Sequence, residues 1–189
     1  APSPRILRAI APSFGPGRVR VWRGDQAGLD RAASSVRPDS ALHLAASVTV
    51  SAGSPLASVL AVVPRASAEE HAAPVALADV MALDLTAELA LFPHLDYETS
   101  AGMGEVATAA SWSLFVAGST TVVVNRWKVE DATLARALVA FYGAWRGVPG
   151  ANRTGLSAAR AMQRAARTLL ASPTSRHPAD WAGLMVLGR

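Results

Sequence analysis

The chain has 189 residues, of which 51% are apolar and 17% charged, a composition typical of one globular domain rather than of a disordered segment. It contains no cysteine, which excludes disulfide bonds and thiolate metal sites. The net charge is +4, no apolar run is long enough to span a membrane, and the N-terminus lacks the apolar core of a secretory signal, so we expect a cytoplasmic protein.

Strand and helix patterns alternate along the chain, which predicts an α/β fold with a mostly parallel sheet. Residues 1–17 are assigned to an N-terminal edge or linker, and residues 18–189 to the domain itself. In the first half, the patterns predict a helix at 25–33, a buried strand at 41–46, a loop at 47–58, a hairpin or edge strand at 58–64, a short helix at 76–83 and a strand at 87–93.

The second half is predicted to contain helices at 106–116, 131–146 and 156–170 and strands at 120–125 and 184–188. The helix at 131–146 carries an apolar stripe at helical spacing, made of Leu134, Leu138, Phe141, Tyr142 and Trp145. For the helix at 156–170 we predict Leu156, Ala159, Met162 and Ala166 on the buried face. Its exposed face is predicted to carry Arg160, Arg164 and Arg167.

Three segments resemble a known family. They are AGSTTVVVNRWKVEDATLARALV at 117–139, ALHLAA at 41–46 and HPADWAGLMVLG at 177–188. In order and spacing they resemble the CHAT domain family, whose members are caspase-like domains of the clan that includes separase. The resemblance covers about residues 18–188 and implies a caspase-like three-layer αβα sandwich with a central, mostly parallel sheet.

The resemblance implies a Cys–His dyad at the carboxyl ends of two strands, where sites form in open parallel sheets. The family's general base is the second His of a His-x-x-x-His-Gly pattern, and its nucleophile is a Cys that precedes a Glu-Thr pair. Here Ser47 stands at the base position and Tyr97 at the nucleophile position. We therefore expect no catalytic residue, only these degenerate dyad positions, because activated-nucleophile chemistry needs both groups.

The same comparison suggests that a remnant of the substrate cleft is formed by His43, His94, Glu98, Trp127, Glu130 and Asp131. Each of these residues also has a purely structural interpretation. His43 is then a histidine in the core or at a strand end, and Trp127 packs against the sheet edge. The acidic residues Glu130 and Asp131 would favour the N-terminus of the following helix, where the helix dipole stabilises negative charge.

The sequence predicts no metal site and no cofactor. The four histidines show no metal-ligand spacing, and no glycine-rich phosphate loop follows a strand. Arginines of the first 37 residues are mixed with loop residues, so we expect no nucleic-acid partner, and we expect no membrane partner either. A protein or peptide partner is predicted, and the oligomeric state is left open.

Three functions remain open at this point. The first is a catalytically inactive pseudopeptidase domain that serves as a protein-interaction or regulatory module. The second is a hydrolase with a rewired Ser–His site, in which His94 acts with Ser47 or Ser100. The third is a purely structural domain of a larger protein.

Overall fold

The computed structural model describes residues 4–22, 29–51, 53–61, 75–94, 103–147 and 155–188. The chain divides into two compact units, each with its own core. The first unit is built from Trp22–Lys128 together with Ala1 and Gly188, and the second from Pro2–Val21, Val129–Leu187 and Arg189.

Three parallel strands form the centre of the first unit, in the order β1 (Ala41–His43), β5 (Leu89–Phe92) and β6 (Thr121–Asn125). Ala41 pairs with Leu89, and Leu89 pairs with Thr121. Every residue of β5 and β6 is buried, which explains why both strands are continuous apolar or β-branched runs in the sequence. The predicted α/β class and the mostly parallel central sheet are confirmed, although β1 is shorter than the strand predicted at 41–46.

A second, antiparallel sheet lies in the same unit, in the order β2 (Ser47–Thr49), β3 (Val59–Ala61) and β4 (Val75–Ala76). The prediction of an uninterrupted loop at 47–58 is therefore wrong, because β2 begins at Ser47. Val48 of β2 is buried and faces Leu60 in the register, so burial of one side chain on each strand holds the pair together. Because β3 pairs on both sides, it is a central strand rather than an edge strand.

Three helices complete the described part of the first unit: α2 (Leu29–Ser35), α3 (Leu77–Val80) and α4 (Met103–Val116). The helix predicted at 25–33 agrees with α2 only in part, since residues 23–28 are outside the described residues. Helix α4 packs on β6 and leads into a turn at Gly118, whose φ of 115° is in the region that favours glycine. In this turn the Leu85 N–H donates to the Ala117 carbonyl oxygen.

The second unit is mainly helical and contains α1 (Pro4–Ile10), α5 (Asp131–Arg146), α6 (Ala158–Leu170) and α7 (Pro178–Trp181), with 3-10 turns at Ala11–Phe14 and Pro173–Ser175. Strand β7 occupies Leu184–Gly188, as predicted. Helix α5 has the predicted bounds, and its five stripe residues are all buried. Helix α1 was not predicted; Ile6 and Ile10 are its buried residues, and it packs on α5.

The buried face of helix α6 differs from the predicted one by one residue position along the sequence. Its buried residues are Ala158, Ala161, Ala165 and Leu169, and they form the face that packs on α5. Ala159, predicted to be buried, is exposed, and Leu156, Met162 and Ala166 are half-buried. The three predicted surface arginines, Arg160, Arg164 and Arg167, are exposed as expected.

Candidate functional site

Two histidines meet at the carboxyl ends of neighbouring parallel strands in the first unit. His43 is the last residue of β1 and pairs in register with Leu91 of β5. The Leu44 N–H then donates to the Leu91 carbonyl oxygen at 2.8 Å, which keeps the chain beside β5 just past the strand end. His94 follows β5 after Pro93, which cannot extend the hydrogen-bonded ladder. The centroids of the two imidazole rings are 6.2 Å apart, with an interplanar angle of 50°.

Burial determines the charge of His43. The side chain is half-buried as a whole, but its Nε2 atom is fully buried, and so is the Nε2 atom of His94. Loss of hydration lowers the pKa of His43 to about 3, and the nearby charge of His94 adds to this effect. His43 is therefore neutral at pH 7, and it is a far weaker base than a general base whose pKa is near the working pH.

The structure separates Ser47 from the strand that carries His43. Ser47 begins β2 and pairs with Ala61 of β3, in the antiparallel sheet rather than the parallel one. Tyr97, Glu98 and Ser100 lie outside the described residues, so their positions at the candidate site stay predictions.

Trp127 lies just after β6 and is half-buried. Its carbonyl oxygen accepts a hydrogen bond from Asn125 Nδ2 at 3.0 Å, which fixes the backbone where the strand ends. The Arg126 guanidinium lies 5.2 Å from the centroid of the Trp127 ring, within the range of a cation–π contact. This part of the predicted cleft thus has a local structural role.

Glu130 and Asp131 belong to the second unit and are part of the N-terminus of α5. Glu130 is the N-cap residue: its Oε2 atom accepts from the Thr133 N–H at 3.0 Å. Hydrogen bonds from the backbone N–H groups of Ala132 and Thr133 lower the pKa of the Glu130 carboxyl group. Asp131 is exposed in the first turn, where the helix dipole favours a negative charge.

The capping role of Glu130 is testable. Replacing Glu130 with Ala removes the side-chain acceptor, so we expect the free energy of unfolding to fall. Asp131→Asn is the matched control, since it removes a neighbouring charge without removing a cap, and its effect should be smaller. Thermal unfolding followed by circular dichroism gives both values, and an equal loss in the two variants would contradict the capping assignment.

His177 is exposed and caps α7, with Nδ1 accepting from the Ala179 N–H at 3.2 Å. Over the described ranges, no cluster of three or more His, Cys, Asp or Glu residues has the geometry to hold a metal ion. None of the helices in those ranges combines the length and apolarity needed to cross a membrane.

His43 and His94 were predicted to lie in one remnant cleft, but the contact of their rings was not predicted. The sequence carries part of the signal, a histidine at the end of each strand, whereas the neighbouring positions of the two strands come from the sheet order. Of the residues predicted to form a remnant cleft, His43 and His94 have rings that lie close together, whereas Glu130 and Asp131 belong to the second unit.

Comparison with known proteins agrees with the resemblance found in the sequence. A family model described as CHAT domain matches residues 3–189, which is nearly the whole chain. The human protein named Tetratricopeptide repeat protein 28 is 28% identical over 111 residues, which cover 59% of this chain. The matched part makes up only 4% of the length of that relative.

Proposed function

Because the chain belongs to the CHAT domain family, we propose that it is a catalytically inactive member that acts as a protein-interaction or regulatory module. The observation that carries this proposal is the state of the strand-end site. The histidine held there by β1, His43, is neutral and weakly basic, and no residue of the chain supplies a thiolate. Nucleophilic catalysis of the cysteine-peptidase type requires an activated thiolate and a base matched to it.

The comparison with a repeat protein supports an interaction role. The name of the human relative states that it carries tetratricopeptide repeats, which stack into extended surfaces suited to binding other chains. A domain similar to part of such a protein is suited to binding a protein or peptide partner. We propose such a partner for this chain, together with a cytoplasmic location.

A rewired serine hydrolase is the main alternative, and one observation favours it. His94 lies at the carboxyl end of a parallel strand, where the sites of α/β proteins form, and the His43 imidazole lies beside it. Ser47 or Ser100 would have to serve as the nucleophile. Against this reading, Ser47 is part of the antiparallel sheet and not of the strand end that carries His43.

A fluorophosphonate probe, which labels activated serines covalently, separates the two readings. We expect no labelling of the folded protein, because a catalytically inactive domain does not place a base of matched pKa beside a serine. Heat-unfolded protein serves as the control for non-specific reaction. Labelling of Ser47 or Ser100 that disappears in the His94→Gln variant would favour the hydrolase and overturn the proposal.

A further inference from the structure

Charge is distributed very unevenly between the two units. The first unit contains six basic and eleven acidic residues, a formal charge of −5, whereas the second contains twelve and three, a formal charge of +9. Within the second unit, residues 132–179 include seven arginines and no acidic residue. An imbalance of this size produces a field that attracts anionic partners.

Helix α6 gathers part of this charge on one exposed face. Arg160, Arg164 and Arg167 follow one another at helical spacing, span about 10 Å along the axis, and are all exposed. This face points away from α5, because the opposite face of α6 packs on α5 through alanines and Leu169. The three side chains thus form a row, which we call the α6 arginine face.

Nothing in the described part of the chain neutralises the α6 arginine face. None of its three guanidinium groups makes a hydrogen bond or ion pair with a described residue. Arg136 of α5 differs, since its guanidinium donates to Ser175 Oγ at 2.6 Å and to Thr174 Oγ1 at 3.2 Å. The α6 arginines are therefore available to an external partner, whereas Arg136 is engaged inside its own unit.

The charges on α6 also work against the helix that carries them. Arg160 is in the first turn, which contains no acidic residue and where the helix dipole disfavours a positive charge. Like charges four residues apart, as at Arg160 and Arg164, repel each other on a helix surface. An anionic partner would relieve both effects, so binding would be favoured beyond the direct ion pairs.

The chemistry of the face selects the class of anion. A membrane surface would need an exposed apolar side on α6, but that side is already buried against α5. Single-stranded nucleic acid is bound by basic grooves interleaved with aromatic side chains, and α6 has no aromatic residue. Guanidinium groups in a row at helical spacing match the carboxylates of an acidic polypeptide. Each guanidinium group can bind one carboxylate through two parallel hydrogen bonds.

We propose that the α6 arginine face is a docking surface for an acidic segment of a partner protein, with carboxylates at helical spacing. This inference rests on the proposed interaction function, since it names the kind of partner that the module takes. It uses a surface in the second unit and does not depend on the strand-end histidines.

The test measures fluorescence anisotropy with a labelled acidic helical peptide of about 15 residues, carrying Glu at positions i, i+4 and i+7. The triple variant Arg160→Gln, Arg164→Gln and Arg167→Gln keeps the long side chains and the helix propensity and removes the charges. We expect its affinity to fall at least about tenfold, because bidentate Arg–carboxylate pairs are lost. The matched control, Arg8→Gln, Arg18→Gln and Arg20→Gln, removes the same charge from exposed positions of the same unit and should change affinity less than about twofold.

Three results would overturn the docking proposal. One is an equal loss in the two triple variants, which would mean that net charge alone attracts the peptide. Another is failure of the wild-type protein to bind the acidic peptide more tightly than its Gln-substituted analogue. The last is tighter binding of a short DNA duplex or of phosphatidylserine vesicles than of the acidic peptide, if that binding also weakens when the three α6 arginines are removed.

A reversed-charge variant, Arg160→Glu, Arg164→Glu and Arg167→Glu, should bind a version of the peptide in which Lys replaces Glu. Peptidase turnover by the wild-type protein would contradict the proposed function without altering any of these binding results.

Discussion

Lowering the pH from 7.5 to 5 is expected to reduce the free energy of unfolding by about 2 kcal/mol through His43 alone. In the unfolded chain, His43 takes up a proton as the pH falls through 6.5, the ordinary value. In the folded protein its pKa is lowered to about 3 by burial and by the nearby His94, so it stays neutral over this range. The stabilising contribution is complete above pH 6.5 and is lost progressively as the pH falls from 6.5 towards 3, at up to about 1.4 kcal/mol per pH unit.

Chemical denaturation at a series of pH values measures this slope. The range from 7.5 to 5 lies above the region where most carboxylates of the unfolded chain titrate, so the histidines dominate it. His43→Gln should be less stable at pH 7.5 and should show a flatter dependence on pH. A wild-type slope equal to that of His43→Gln would contradict the burial assigned to His43.

Replacing Gly118 with Ala should lower the free energy of unfolding by about 3 kcal/mol. The φ of 115° is strained for any side chain, and an added Cβ would press on the backbone carbonyl group of Leu85, with its carbon atom at 3.3 Å. The added contact would displace the Leu85 backbone, whose N–H donates to the Ala117 oxygen. The turn between α4 and β6, which places β6 beside β5, would open.

Gly104→Ala is the matched control, because it is the same substitution in the same segment. Gly104 is in the first turn of α4 and has open space around its Cα, so Ala should stabilise the protein by up to about 1 kcal/mol. Urea unfolding of the two variants should thus shift in opposite directions from the wild type. Equal stability of wild type and Gly118→Ala would show that the turn does not have this geometry.

Much of the fold was predictable where one strong pattern decided the structure. Helix α5 has the predicted bounds because bulky apolar residues such as Phe141 and Trp145 recur at helical spacing, and a glycine ends the run. Strand β6 was clear because its β-branched residues are buried on both faces, as in a parallel sheet. These elements needed no information about their neighbours.

Other elements depended on contacts that a local pattern does not contain. The face of α6 was predicted one position away because alanines occupy both sides of the helix, and Leu169 alone does little to orient it. Strand β2 has only one buried apolar residue, Val48, and exists because β3 pairs with it. Helix α1 did have a signal, Ile6 and Ile10 four residues apart, but the pattern is short and its partner α5 is more than a hundred residues away.

The candidate site was predictable only in part. The end of β5 at Phe92 is one residue from the predicted end, whereas β1 ends at His43, three residues before its predicted end. The structural interpretation of Glu130 as part of a helix N-terminus is confirmed by its cap. The contact between His43 and His94 required the strand order, and the lowered pKa of His43 required its burial. Neither property can be derived from sequence spacing.

Hydrolysis of a diverse peptide library by the purified protein, followed by mass spectrometry, distinguishes an inactive CHAT domain from a peptidase. Wild type, His94→Gln and Ser47→Ala should all give the background cleavage of a buffer control, since the proposed function is binding and not peptide hydrolysis. Cleavage by the wild type that is abolished in His94→Gln or Ser47→Ala would contradict it.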